Sequence, residues 1–173
     1  MSDPRLAIAP AGDEDRLEVD RFLADRHADR VARGGEVVEA TALERLAARR
    51  DGALVGVLTY RIADHDLEVV TLHAATSWSG VGTALLAAVE SIARGAGCTR
   101  IWLVTTNDNV DALRFYQRRG YRLVRVDAGA VDRSRATSKP TIPVIGSHGI
   151  PIRDEMVLER TVAGAPEDGH PHD

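Results

Sequence analysis

Two stretches of this 173-residue chain carry residue types whose spacing could do chemistry. The first is "SWSGVGTALL", Ser77 to Leu86, with glycines at 80 and 82. Glycines so placed let the backbone bend tightly ahead of a helix, so that several amides point at one spot at its N-terminus and favour phosphate. The same spacing also serves tight packing alone. The second is "NVDALRFYQRRGY", Asn109 to Tyr121. Asn109 suits a helix N-cap, a contribution of about 1 kcal/mol, and Gly120 suits the stop. Between them stand Phe115 and Tyr116, which raises the question whether one of the two aromatic side chains does more than pack.

Two nucleotide readings of the glycine loop can be tested. A Walker loop needs GxxxxGK followed by Ser or Thr, and the only lysine is Lys139. A Rossmann fingerprint needs a third small residue where "GVGTAL" has Leu85, and an acidic residue at a strand end about 20 positions on, which is absent. Both fall away. The six histidines show no helical or strand spacing for a metal, so no metal is expected. The one cysteine, Cys98, excludes an intrachain disulfide framework and a cysteine-rich zinc site, and reads as a core thiol.

These stretches need elements to position them. "RLAIAP" (Arg5 to Pro10) reads as a first strand, and Leu17, Phe22 and Leu23 fall at helical spacing with Asp13 as a cap. From Asp29 to Glu44, Gly34-Gly35 breaks any continuous helix, which predicts a short helix or loop. Asp51-Gly52 between two alternating segments signals a tight hairpin. After the turn Ala63 to Asp66, "LEVVTLHAA" makes a third, antiparallel strand, with Glu68, Val70 and Leu72 on one face and Val69, Thr71 and His73 on the other.

The pattern then changes period. Val81, Leu85, Ala88, Val89 and Ile92 form one helical stripe closed by Gly97, and "RIWLVTT" is apolar enough to be covered on both faces. The helix from Asn109 and the strand "YRLVRV" follow. Strand, helix, strand, helix, strand implies a parallel pair with right-handed crossovers joined to the antiparallel meander. Ser134 to Arg153 reads as a long ordered loop, and Asp154 to Val162 as a last strand. The expectation is one α/β domain over residues 1–162, with 163–173 as a disordered tail.

Composition narrows the class further. A net charge of −4 argues against a nucleic-acid partner, and no apolar run is long enough to span a membrane. "MSDPRLAIAP" has no basic region followed by an apolar run, so it is not read as a secretory signal, and a cytoplasmic setting is expected.

"NVDALRFYQRRGY" matches the pattern N-x-x-A-x-x-F-Y-x-x-x-G-F/Y at every position. Together with "LHAATSWSGVGTALL" it resembles the GCN5-related N-acetyltransferase (GNAT) superfamily, whose members transfer an acyl group from acyl-coenzyme A. The resemblance spans Leu46 to Val126, and "IPVIGSHGIPIRDEM" further on resembles a tail found in a bacterial branch of the superfamily. It implies the GNAT fold, an antiparallel meander joined to a splayed parallel strand pair with flanking helices. It also implies that Leu72, His73 and Ala74 pair with the pantetheine arm of acetyl-CoA. The amides of Ser77, Trp78, Ser79, Gly80, Val81, Gly82 and Thr83 would hold the pyrophosphate, with Asn107 and Asn109 near the cofactor. Ser77 departs from the family, which usually has Gln or Arg there.

The same resemblance makes Tyr116 the proton donor to the departing thiolate, the alternative being that it packs between helix and sheet, while Phe115 is read as core. An alkyl amine with a pKa near 10.4 must lose a proton before attack. Glu68 is the first candidate base, because some relatives place a carboxylate four residues before the position of Leu72; His73 and His65 are alternatives. A backbone amide near Leu72 would meet the oxyanion. His148, Arg153 and Asp154 are possible acceptor contacts. The reaction implied is direct attack of an amine on acetyl-CoA in a ternary complex, with a homodimer possible; a non-catalytic acyl-CoA sensor of the same fold is the alternative, motivated by Ser77.

Overall fold

The computed structural model describes residues 5–162 and 164. β1 (Leu6–Pro10) ends at its proline and leads through a short 3-10 turn into α1 (Arg16–Ala24). Asp13 lies in that turn and does not cap the helix; Asp15 holds the cap position without a side-chain hydrogen bond. Val19, Phe22 and Leu23 are the buried face of α1, while Leu17 is turned to solvent.

The segment expected as a short helix or loop is a hairpin, β2 (Arg30–Arg33) and β3 (Glu36–Glu39). Gly34 and Gly35 both take positive φ, 57° and 81°, which makes them the turn and not a helix break. The second hairpin is as expected. β4 (Glu44–Arg50) and β5 (Ala53–Ala63) are joined by Asp51 and Gly52, also at positive φ, and β6 (Asp66–Ala74) continues the antiparallel meander.

α2 (Val81–Gly95) buries Val81, Leu85, Leu86, Val89 and Ala93 and closes with the Cys98 N–H on the Ala93 carbonyl at 2.9 Å, Gly97 between them at positive φ. β7 (Arg100–Thr106), α3 (Val110–Gln117) and β8 (Arg122–Asp127) follow. Part of the predicted long loop is helical, α4 (Ala130–Thr137), before the chain returns as β9 (Glu155–Thr161). Of residues 163–173, expected as a disordered tail, all but Gly164 lie outside the described residues. Among the described residues no helix is long and apolar enough to cross a membrane.

Seven strands form one mixed sheet in the order β1-β4-β5-β6-β7-β9-β8. The single parallel contact, β6 with β7, runs only from Asp66↔Arg100 to Val69↔Leu103. β9 then slips between β7 and β8, antiparallel to both. One face of the sheet packs against α2 and α3 through a core that includes Leu58, Leu67, Leu85, Tyr116 and Leu158. The other packs Val57 against Val19, Phe22 and Leu23 of α1.

A bulge in β6 changes which residues share a face. Thr59 pairs with Thr71 but Tyr60 pairs with Val69, so Val70 is an extra residue. Residues opposite one another share a face, so Val69 and Thr71 point to opposite sides, against the simple alternation. Glu68, opposite Arg61, therefore joins the face of Thr71 and His73, and not that of Leu72.

Close approach of α2 to the sheet depends on Gly56. A Cβ there would overlap Val81 Cγ1 and lie 3.1 Å from Leu85 Cδ1 and 3.2 Å from the His73 carbonyl oxygen. Gly56→Val should lower unfolding free energy by about 1–3 kcal/mol, the usual cost of overpacking; denaturant unfolding, read as a lower midpoint with unchanged slope, measures it.

Candidate active site

The glycine loop joins the end of β6 to α2. Gly80, at φ 79°, is the residue before the helix, and Trp78 also takes positive φ and is 71% exposed at the loop tip. The loop is braced from inside: Ser79 Oγ donates to the Thr76 carbonyl at 2.7 Å, and Arg50 donates to the Ser79 carbonyl at 3.2 Å. Amides of the first turn of α2 have no helical acceptor, which leaves a positive end to the helix dipole.

A groove of about 470 Å³ runs between this loop, the end of β6 and α3. Leu72, His73, Ala74, Ser77, Trp78, Ser79, Gly80, Gly82, Thr83, Asn109 and Tyr116, all named from the sequence, line it. Two expected residues do not. The Val81 side chain is buried in the core under the first turn of α2. Asn107 clamps the returning chain: its Nδ2 donates to the Pro151 carbonyl at 2.9 Å, and its Oδ1 accepts from the Arg153 and Asp154 amides at 2.9 and 3.0 Å.

α3 forms the far wall of the groove with Ala112, Phe115 and Tyr116, and Arg119, in the turn just after the helix, continues the wall. Phe115 packs against the core but also shapes the groove, because a Cβ on Gly82 would come within 3.2 Å of its ring. Arg119 was not anticipated, although the spacing of Ala112, Phe115 and Tyr116 points to it. Its guanidinium lies 3.6 Å over the Phe115 ring and donates to Thr83 Oγ1 and the Phe115 carbonyl. Its buried Nε has no hydrogen-bond partner among the described residues. Arg114 lies 5.4 Å over Trp78, so α3 and the turn after it bring two cations to a rim where Ser77 brings none.

Behind the groove lies a second cavity of about 260 Å³, lined by the end of α1, the β2–β3 hairpin, β6, β7 and Glu155. Leu72, His73, Asn109, Ala112 and Tyr116 belong to both. Of these, Leu72 and His73 lie on β6 beyond the end of its pairing with β7.

Tyr116 lines both spaces. It is buried, with edge contacts to Phe115 at 5.1 Å and Tyr121 at 5.5 Å between ring centroids. Burial pushes its phenol far above the ordinary value, the nearby Arg119 charge opposing only in part, so the hydroxyl keeps its proton through the neutral range. Asn109 caps α3, accepting the Ala112 N–H at 3.1 Å, and lines both spaces. Burial, with help from Arg26, lowers His73 below the usual imidazole value and keeps it neutral.

Glu68 is held otherwise. Its carboxylate is gripped by Arg33 Nη2 and accepts from Arg61 Nε at 2.8 Å, and it lines neither cavity. Burial raises its pKa and lowers that of Arg33, while their mutual attraction opposes both shifts. The bulge at Val70 sets it on the face of Thr71 and His73, where Arg33 and Arg61 hold it. His65 sits in the turn before β6, at the opposite end of the strand from Leu72 and His73, and lines neither cavity.

Nor do the residues expected from the tail reach either space. His148 Nε2 meets Asp111 Oδ2 at 3.1 Å on the surface, Arg153 is exposed, and Asp154 accepts the Gly129 N–H at 2.8 Å. Their neighbour Glu155 does reach the cavity. It is 3% exposed and accepts the Gly34 N–H at 2.9 Å. Sequence reasoning stopped one residue short of it. Cys98 is a buried core thiol, its pKa raised by burial.

The model of the acetyltransferase (GNAT) family matches residues 12–121. The uncharacterised protein YdhI of Bacillus subtilis (strain 168) is 43% identical over 116 residues, 67% of this chain and 72% of that protein. Among solved structures, a GNAT family acetyltransferase from Elizabethkingia anophelis with acetyl-CoA bound superposes with a TM-score of 0.67 at 18% identity, over 92% of this chain and 99% of that one. A Bacillus subtilis acetyltransferase in complex with CoA gives 0.64 at 19% identity, over 91% and 97%. At these identities the two structures speak for the fold.

The Glu68 ion pairs generate a stability test. Removing the anion leaves the buried Arg33 without its main partner, and breaking such a pair costs about 3–5 kcal/mol. Glu68→Gln should show that loss in denaturant unfolding.

Proposed function

Since this chain belongs to the acetyltransferase (GNAT) family, we propose that it transfers an acetyl group from acetyl-CoA to an amine by direct attack in a ternary complex. The observation that carries the reading is that the groove and the second cavity are both lined by Tyr116. One space is fitted to a long donor with phosphates at one end, the other to an acceptor, and a phenol lines both. The acetyl-CoA and CoA held by the two structural neighbours support this choice of donor.

In this reading the pyrophosphate rests on the amides of Ser77 to Thr83 at the start of α2. Arg119 and Arg114 make up for the side chain that Ser77 does not supply. The pantetheine arm pairs with Leu72 to Ala74, on the side of β6 that β7 has left, and a backbone amide near Leu72 meets the oxyanion of the tetrahedral adduct. Tyr116, held protonated by burial, gives its proton to the sulfur as the carbon–sulfur bond breaks. Asn109 steadies the first turn of α3 beside it, and Glu68 acts by holding Arg33.

Two measurements test the reading. Acetyl-CoA should raise the melting temperature, with a stabilisation of about 2.7 kcal/mol at a concentration 100 times its Kd; no shift at millimolar cofactor refutes it. Thiol release over a broad panel of amines separates a transferase from an acyl-CoA sensor, for which binding would persist without turnover. Tyr116→Phe should lower kcat by a factor of about 10², the lower end for acid–base catalysis, while leaving the cofactor-induced shift in place. Equal kcat in the variant at every pH would remove the proton-donor role.

A further inference from the structure

Glu155 is a buried carboxylate that no ion pair among the described residues includes, and Arg33, which lines the same cavity, is paired with Glu68 and Glu36. Glu155 opens β9 opposite Thr106 and is the one carboxylate among the residues lining the acceptor-side cavity. A single hydrogen bond reaches it, from Gly34 N–H at 2.9 Å, and no ion pair among the described residues includes it. Arg33 lies within electrostatic reach but is already matched: Arg33 and Arg61 face Glu68 and Glu36, two charges of each sign. An ionised carboxylate taken out of water without a partner is costly.

The other groups on the cavity wall do not balance it. Arg26 is spent on the Phe22 carbonyl at 3.0 Å and on the Phe22 ring 3.6 Å beneath it, and it repels a cation rather than receiving one. His73 faces the cavity as a neutral ring. Thr105, Thr106 and Asn109 are uncharged. Glu155 is thus the site on this wall for a positive charge arriving from outside, and the same cavity shares Leu72, His73, Asn109, Ala112 and Tyr116 with the groove.

We propose that Glu155 receives the acceptor, pairing with the ammonium group of an alkyl amine and taking the proton that this nitrogen must lose before it attacks. The inference rests on the transferase reading and deepens it by naming both the residue and the class of amine. An alkylammonium ion fits; arylamines and hydrazides, uncharged at neutral pH, leave the carboxylate unmatched. The steps balance. One proton passes from nitrogen to Glu155 and on to water. The freed nitrogen lone pair then forms the bond to the thioester carbon, the carbon–sulfur bond breaks, and Tyr116 protonates the sulfur. The second N–H proton of the adduct restores the phenol.

Glu155→Gln tests this, because the amide oxygen still accepts the Gly34 N–H. The variant should lose about 100-fold in kcat/KM for alkylamines, keep the acetyl-CoA-induced rise in melting temperature, and change turnover of arylamines by no more than a few-fold. Retained alkylamine turnover, or an equal loss for arylamines, overturns the proposal. Two readouts need no turnover. Without ligand, Glu155→Gln should melt above the wild type, since an unmatched buried charge is gone; a lower melting temperature would make Glu155 part of the structural ion network and overturn the proposal. n-Butylammonium chloride should stabilise the wild type more than n-butanol with sodium chloride does, and that difference should vanish in the variant; no difference in the wild type also overturns it. A wild type that binds acetyl-CoA but acetylates no amine would refute the transferase reading, while the butylammonium comparison still judges Glu155.

Discussion

Parallel pairing between β6 and β7 stops at Val69 and Leu103, and the backbone that this leaves unpaired shapes the rest of the site. Buried amides and carbonyls must find partners. On the β7 side the need is met at once, because Val104 to Thr106 pair with Val157 to Glu155. On the β6 side it is not. Leu72 to Ala74 pair with β5 along one edge only, and their other edge faces the groove. The bulge at Val70 lies where the two strands part, so the bend it gives β6 and the separation from β7 coincide.

The charges around the splay are arranged in two ways. Glu68 is enclosed by two guanidinium groups and serves to fix the β2–β3 hairpin against the sheet, with Arg33 as the bridge. Glu155 touches the same hairpin through one neutral amide and is otherwise turned to the cavity. Two buried carboxylates on neighbouring parts of one sheet therefore differ in their partners, paired guanidinium groups for Glu68 and a backbone amide beside a cavity for Glu155. A carboxylate with fixed cations is part of the scaffold, whereas one without them is available to a ligand.

What could be read from the sequence was local. The Asn109 cap, the Gly97 closure, the Asp51-Gly52 turn and the glycine loop each depend on a few adjacent residues, and each stands where expected. Gly34-Gly35 was ambiguous because strands of four residues are too short to show alternation against the flanking arginines and glutamates. The bulge at Val70 leaves no trace, since Val69 and Val70 are chemically the same whether or not one of them is unpaired. That one extra residue moved Glu68 to the other face. The place of β9 between β7 and β8 is a contact between distant parts of the chain, which side-chain periodicity does not encode. Glu155 was missed with it, whereas Arg119 could have been found by extending the spacing of Ala112, Phe115 and Tyr116 by one turn.

The late insertion of β9 also orders events in time. β8 has no strand partner except β9, and β9 is made last of the seven strands. At roughly 5–20 residues per second a growing chain takes several seconds to get from β7 to β9. Over that interval the glycine loop and the β6–β7 pair already exist, while β8 waits with neither edge satisfied. The groove beside the glycine loop is therefore complete first on the ribosome, and the cavity that Glu155 lines is closed only when β9 emerges.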